Sequence, residues 1–199
     1  MNHDKQYIID YIRRILPMPD AQVNDIVSLF KERLLSKNDL FVKEGKVCNQ
    51  YGFIKEGFLR AYTFDLEGNE VTTAFFSKNQ IVVDIFSFFK RVPAGESIQA
   101  LTDCTLHCIN FEEMQNAFHS LPQFREMGRG ILVNAYAQLK QRMLSMLHQT
   151  AEQRYAHLIQ TNPEVFQHAP LKYIASYLGI TDTSLSRIRK EFSKSSSTD

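Results

Sequence analysis

Residues 174–192 read IASYLGITDTSLSRIRKEF, and the spacing of their apolar residues organises what lies around them. Just upstream, Pro170 suits the first turn of a helix, where its missing N–H has no partner to lose, and Leu171, Ile174, Ala175 and Leu178 recur on one face of that helix. Gly179 stands where a helix closes through a left-handed residue, and Ile180 can tuck between two helices. Thr181 is then an N-cap and Asp182 complements the dipole of the next helix, whose buried stripe is Leu185, Ile188 and Phe192. Two helices joined by so short a turn form a helix-turn-helix.

The second helix presents Asp182, Thr183, Ser184, Ser186, Arg187, Arg189 and Lys190 on its outer face. In such a unit this helix enters the major groove, where a guanidinium can fork onto guanine. Arg187 is therefore the expected base reader, with Asp182 and Thr183 beside it. Thr181, Ser184, Ser186, Arg189 and Lys190 supply hydroxyls and cations for backbone phosphates. A solvated helical hairpin would also show a polar face, but the glycine, the cap and two apolar stripes agree on the DNA-binding unit. A helical tail that contacts a protein partner would lack this basic, hydroxylated face. Charge agrees as well: the chain is only +1 overall, yet segment 170–194 carries Lys172, Arg187, Arg189, Lys190 and Lys194 against Asp182 and Glu191.

Working back toward the N-terminus, Thr150 and Gln153 have capping-box spacing, so a helix starting at Ala151 and running toward Pro163 is expected. Before it, Phe124, Met127, Ile131, Ala135, Leu139, Met143, Met146 and Leu147 keep three-and-four spacing without an internal proline, which predicts one long helix. Its stripe could lie wholly on the chain's own body. The small residues Gly128, Gly130 and Ala135 favour a twin helix instead, with Ile131, Ala135, Leu139, Met143 and Met146 as the dimer seam. Earlier still, the runs DLFVKEG, YGFIKEG, FLRAYTFD, EVTTAFF, ESIQAL and TLHCINF, separated by turn signals, predict a small antiparallel barrel or sandwich. Two amphipathic helices, about Tyr7–Ile15 and Val23–Phe30, precede it. The SKSSST run at 193–198 reads as a frayed tail.

Composition narrows the function. Three cysteines, no N-terminal apolar signal and no membrane-length apolar run point to a cytoplasmic protein with free thiols and no membrane partner. There is no phosphate-cradling glycine loop, no HExxH, no nucleophile elbow and no carboxylate pair that spacing would unite, so an enzyme is not expected. No metal is expected either. Cys104 and Cys108 share one strand face while His107 points to the other, and nothing precedes Cys48 to complete an iron–sulfur ligand set.

PLKYIASYLGITDTSLSRIRKEF resembles the DNA-binding motif of the cyclic-AMP receptor protein/Fnr superfamily of bacterial transcription regulators, especially its short Bacteroidetes-type branch. LFVKEG, FIKEGFLRAY and the Asp65-to-Gly68 turn fall in the order of that family's barrel. The resemblance implies an α+β fold: a cyclic-nucleotide-domain-like antiparallel β-barrel with N-terminal helices over 1–120, a dimerisation helix over 121–149 and a helix-turn-helix over 150–199. It implies a homodimer acting on double-stranded DNA, with RNA polymerase as protein partner, and base reading by Asp182, Thr183 and Arg187. Little room between Phe166 and Pro170, and an end soon after the second helix, imply a reduced wing. The family's Gly-Glu pair for the ribose is replaced by Val83 and Asp84, and its Arg-Ser pair for the cyclic phosphate by Ala94 and Gly95. Without the arginine fork, ordinary cyclic-AMP binding is not expected, and no cofactor is assigned. Arg91 or Lys90 could rebuild a non-standard phosphate site, which keeps a cyclic-nucleotide-responsive regulator as the alternative. Ile81, Val83, Ile85, Phe86, Phe88 and Phe89 supply either the wall of a pocket for another effector or plain core.

Overall fold

The structure is a computed structural model that describes residues 3–195. A 3₁₀ turn at His3–Lys5 leads into α1 (Gln6–Ile15) and α2 (Asp20–Ser28), which bury Ile8, Ile12, Val23, Ile26 and Val27. Eight strands follow: β1 (Lys31–Leu35), β2 (Leu40–Val42), β3 (Gln50–Glu56), β4 (Leu59–Phe64), β5 (Glu70–Phe76), β6 (Ile81–Val82), β7 (Ser97–Ala100) and β8 (Cys104–Asn110). They form two antiparallel four-stranded sheets, ordered β1-β8-β3-β6 and β2-β7-β4-β5. Phe53, Ile54, Leu59, Ala61, Ile98 and Leu106, all at most 1% exposed, fill the space between. Gly57 at φ 103° makes the turn from β3 to β4, and a Cβ there would lie 2.5 Å from the Cys104 sulfur, so only glycine fits.

Sequence patterning finds six of these strands. It misses β1, whose KERLL carries three charges; the strand lies at a sheet edge and pairs only with β8, which lets Lys31, Glu32 and Arg33 reach water or polar partners. It also misses β6, two residues inside the apolar run whose continuation is the short α3 (Ile85–Lys90).

The capping box of α4 (Phe111–Ser120), made by Asn110 and Glu113, closes the barrel segment, and Pro122 opens α5 (Pro122–His148). Phe124 and Met127 of α5 enter the barrel core, Phe124 meeting Phe118 edge-on at 5.0 Å. The start of the helix is thus tied to the barrel, while much of its later length is exposed. Ile131 packs against the barrel core and Ala135 faces the cleft between helix and barrel, while Met146 reaches Gly179. Leu132, Tyr136, Leu139, Met143, Met146 and Leu147 are 42–70% exposed, Leu132 and Leu139 also bordering the cleft. Gly128 and Gly130, read as room for a twin helix, instead admit Phe118 and Ile15 of the same chain; an added Cβ would meet them at 2.8 and 2.9 Å. Three-and-four spacing marks an apolar arc without saying which part of the arc the barrel takes.

The last helices are α6 (Ala151–Thr161), α7 (Val165–His168), α8 (Leu171–Leu178) and α9 (Asp182–Ser195). Among the described residues no strand follows β8, and the single turn α7 occupies the place between α6 and α8. Of the serine-rich run, residues 193–195 continue α9 and 196–198 lie outside the described residues. One apolar cluster joins this unit to the barrel: Phe58, Phe75 and Leu101 pack with Leu158, Val165, Ile174, Leu178, Leu185 and Ile188. The boundary at residue 150 is thus a change of element and not a break in packing.

Candidate nucleic-acid interface and barrel pocket

The turn between α8 and α9 follows from local chemistry. Gly179, at φ 67°, donates its N–H to the Ser176 carbonyl at 3.1 Å, and the Ile180 N–H reaches the Ala175 carbonyl at 3.0 Å. This double closure is the Schellman motif. The Thr181 hydroxyl then accepts from the Ser184 amide at 3.2 Å and donates to the Ser184 hydroxyl at 3.0 Å. Both hydroxyls, assigned above to phosphates, are thus already joined in the cap of α9. Leu185 and Ile188 are buried, whereas Asp182, Thr183, Ser186, Arg187, Arg189 and Lys190 are exposed. Among the described residues no side-chain hydrogen bond or ion pair engages Arg187 or Lys190.

The C-terminus of α8 is held from the opposite side. Arg142 of α5 donates to the Tyr177 carbonyl at 3.1 Å and stacks over the Tyr177 ring, 3.6 Å from its centroid. Arg154 of α6 donates to the Leu178 carbonyl from Nε and Nη2 at 3.1 and 2.9 Å. Two cations therefore complement the negative end of the helix dipole.

A cavity of about 890 Å³ opens between the barrel, α5 and the helix-turn-helix, with Tyr51, Thr73, Val83, Phe89, Ile131 and Tyr177 among its walls. The apolar run after β5 divides there: Phe88 is core, Ile81, Val83, Ile85 and Phe89 line the cavity, and Phe86 stands 67% exposed. The polar residues expected near a phosphate are occupied elsewhere. Asp84 caps α3, accepting from the Ser87 amide at 2.9 Å. Ala94 is buried and exchanges backbone hydrogen bonds with Gly45 and Lys46, while the Gly95 carbonyl accepts from Thr63. Arg91 is engaged within the chain. Its Nη1 donates to the carbonyls of Cys48 and Phe88 at 2.9 and 3.2 Å, Nη2 engages Asn49, and the guanidinium lies over Phe111. Glu96 accepts from the Thr73 hydroxyl at 2.5 Å, and burial, reinforced by the Asp84 charge, pushes its carboxyl above the ordinary value.

Residues 32–120 match the family model described as the cyclic nucleotide-binding domain. The barrel is thus similar to that domain. Solved structures extend the likeness to the rest of the chain. FixK2 from Bradyrhizobium japonicum is 15% identical, with 84% of this chain and 86% of that one covered at a TM-score of 0.71. The c-di-GMP-responsive global regulator CLP of Xanthomonas campestris is 14% identical, covering 89% and 93% at 0.68. A chain from Eubacterium rectale, described as a transcriptional regulator of the crp/fnr family, is 16% identical, covering 89% and 85% at 0.68. The chain has the Crp/Fnr fold. No curated protein sequence matches it.

Within that fold the three free thiols are buried, and burial raises the pKa of Cys48 and Cys104 and pushes that of Cys108 up to about 12. His107 faces away from Cys104 and Cys108, as strand alternation requires. It is buried between the Tyr7 hydroxyl, 2.7 Å from Nδ1, and Asp4, 3.3 Å from Nε2. Asp4, Glu32 and His107 bring three donor atoms within 4.8 Å of one another, but the Lys55 ammonium already supplies the positive charge at Asp4. Among the described residues no helix is long and apolar enough to cross a membrane.

Sequence reasoning missed Arg60 altogether. In FLRAYTFD it alternates with inward Leu59 and Ala61, which assigns it to the outer face of β4, yet it is 1% exposed because α8 covers that face. No local signal could have revealed a cover that lies more than a hundred residues away.

Proposed function

We propose that this protein is a homodimeric, sequence-specific DNA-binding transcription regulator acting in the cytoplasm, with RNA polymerase as a protein partner. The observation that carries the reading is the outer face of α9. Asp182, Thr183 and Arg187 stand exposed near the start of a helix held by a Schellman turn and a threonine cap, and Arg187 has no partner within the described chain. Arg187 forks onto guanine, Asp182 and Thr183 read beside it, and Ser186, Arg189 and Lys190 hold phosphates. The second copy covers the α5 stripe of Leu132, Tyr136, Leu139, Met143 and Leu147, since a large exposed apolar stripe is costly in water. Two recognition helices then meet successive major grooves about 34 Å apart. The barrel is not an ordinary cyclic-AMP receptor: the arginine fork is missing and Glu96 opposes an anion.

Selection from random duplexes, followed by sedimentation of the protein alone, tests this. A palindromic site and a dimer at micromolar concentration are expected, and Leu139→Asp with Met143→Asp should yield a folded monomer that binds the selected site at least about 100-fold more weakly. A monomeric wild type, or no enriched sequence, overturns the reading.

A further inference from the structure

The face that joins barrel to helix-turn-helix is built around a buried cation. Arg60 of β4 donates through Nη2 to Glu70 at 2.5 Å and to Gln99 at 3.1 Å, both in the barrel. Its flat guanidinium lies between two rings, 4.1 Å from the centroid of Tyr62 in the barrel and 3.5 Å from that of Tyr173 on α8. Beside this stack the outward N–H of Thr72, on edge strand β5, donates to the Ser176 hydroxyl of α8 at 3.1 Å. Phe75 meets Tyr177 at 5.1 Å and Phe58 meets His168 at 5.4 Å.

This contact differs from the barrel core in one respect. Among the described residues three buried side-chain polar atoms lack a hydrogen-bond partner, and two of them, Arg60 Nη1 and Thr72 Oγ1, belong to residues of this contact. Buried polar atoms without partners favour the state in which water reaches them. Separation of α8 from the sheet would hydrate both. Apolar packing and the stack hold the contact shut while these two atoms weaken it, the balance expected of a contact that opens rather than a permanent weld.

We propose that Arg60 is the positioning residue of an interdomain clasp: stacked on Tyr173, it docks the helix-turn-helix on the outer face of its own barrel and thereby sets the direction of α9. β5 ties the clasp to the cavity, because Thr73 lines the cavity while Thr72 and Phe75 touch α8. With the clasp shut the reading face stays exposed, so docking presents α9 to DNA and loss of docking weakens binding. The statement about DNA rests on the regulator reading above; the clasp itself does not.

Hydrogen exchange without DNA tests the clasp. Tyr173→Leu should speed exchange at Thr72 and across 171–178 by about tenfold and leave β3 and β8 unchanged, because only local opening is affected. Tyr173→Phe keeps the ring and should behave as wild type. Arg60→Lys keeps the charge beside Glu70 but loses the flat stacking surface, and should fall between. On the selected duplex Tyr173→Leu should bind about tenfold more weakly with an unchanged salt slope, since no phosphate contact is lost. Exchange unchanged by Tyr173→Leu, or accelerated equally by Tyr173→Phe, overturns the clasp, as does DNA affinity that holds or rises when exchange accelerates. A wild type that selects no DNA sequence removes the regulator reading and leaves the exchange result to decide the clasp alone.

Discussion

The outer face of α9 and the barrel segment 84–96 both carry polar side chains, and they treat those side chains in opposite ways. On α9, Arg187 and Lys190 project from a rigidly capped helix with no partner in the described chain. In the barrel, Asp84 caps α3, Glu96 takes the Thr73 hydroxyl and Arg91 fills the carbonyls of Cys48 and Phe88. A side chain whose hydrogen-bonding capacity is satisfied internally must lose those bonds before it can hold a ligand, so it reads as structure. One left open on a rigid element has nothing to lose.

The contrast is broken most directly at Arg187. Arg187→Ala should cost about 1–3 kcal/mol per half-site and relax preference at one base pair in each, because a bidentate base contact is lost. Its folding stability should match wild type. Equilibrium binding to the selected and single-mismatch duplexes, with urea unfolding as control, measures both.

Arg91→Met should do the reverse. Losing the guanidinium leaves part-buried carbonyls unpaired and should destabilise the barrel by about 1–3 kcal/mol, while DNA affinity per folded molecule stays unchanged. A variant with unaltered urea midpoint but altered small-molecule response would make Arg91 a ligand contact instead.

Lys190→Ala should weaken selected and scrambled DNA alike and flatten the dependence of log affinity on log salt by about 0.9, since one phosphate contact fewer releases counterions. A salt titration on both duplexes separates it from Arg187.

The smallest effect concerns Glu96. Burial raises its folded-state pKa above the ordinary 4.5, with Asp84 adding to the rise and Thr73 opposing it. The native state therefore binds this proton more tightly than the unfolded chain. Its stabilising contribution is complete below about pH 4.5 and is lost as pH rises through the folded value. Glu96→Gln should match wild type in urea midpoint at pH 4 and exceed it at pH 7; a constant gap would show that Glu96 titrates normally.

The two regions also differed in how far they could be read from sequence. The helix-turn-helix was legible to the residue, because its signals are local: Gly179 must take a left-handed conformation, Thr181 caps the helix three residues ahead, and apolar spacing marks the inner faces. The strands with alternating runs were legible too, whereas charged β1 and two-residue β6 were not. Beside Ala94 and Gly95, sequence did not show where Arg91 would point. Its rotamer depends on Cys48, Asn49 and Phe111, brought together by the barrel.

What the sequence determined by itself, then, was the element that reads DNA in the proposed function, the strands that alternate and the length of α5. Only tertiary structure decided which arc of α5 the barrel covers, why Gly128 and Gly130 are small, and that Arg60 lies buried under α8. The physical reason is range. Caps, turns and periodicity act over a few residues, whereas the contact of Thr72 with Ser176 joins positions 104 apart, and nothing in either neighbourhood encodes the other.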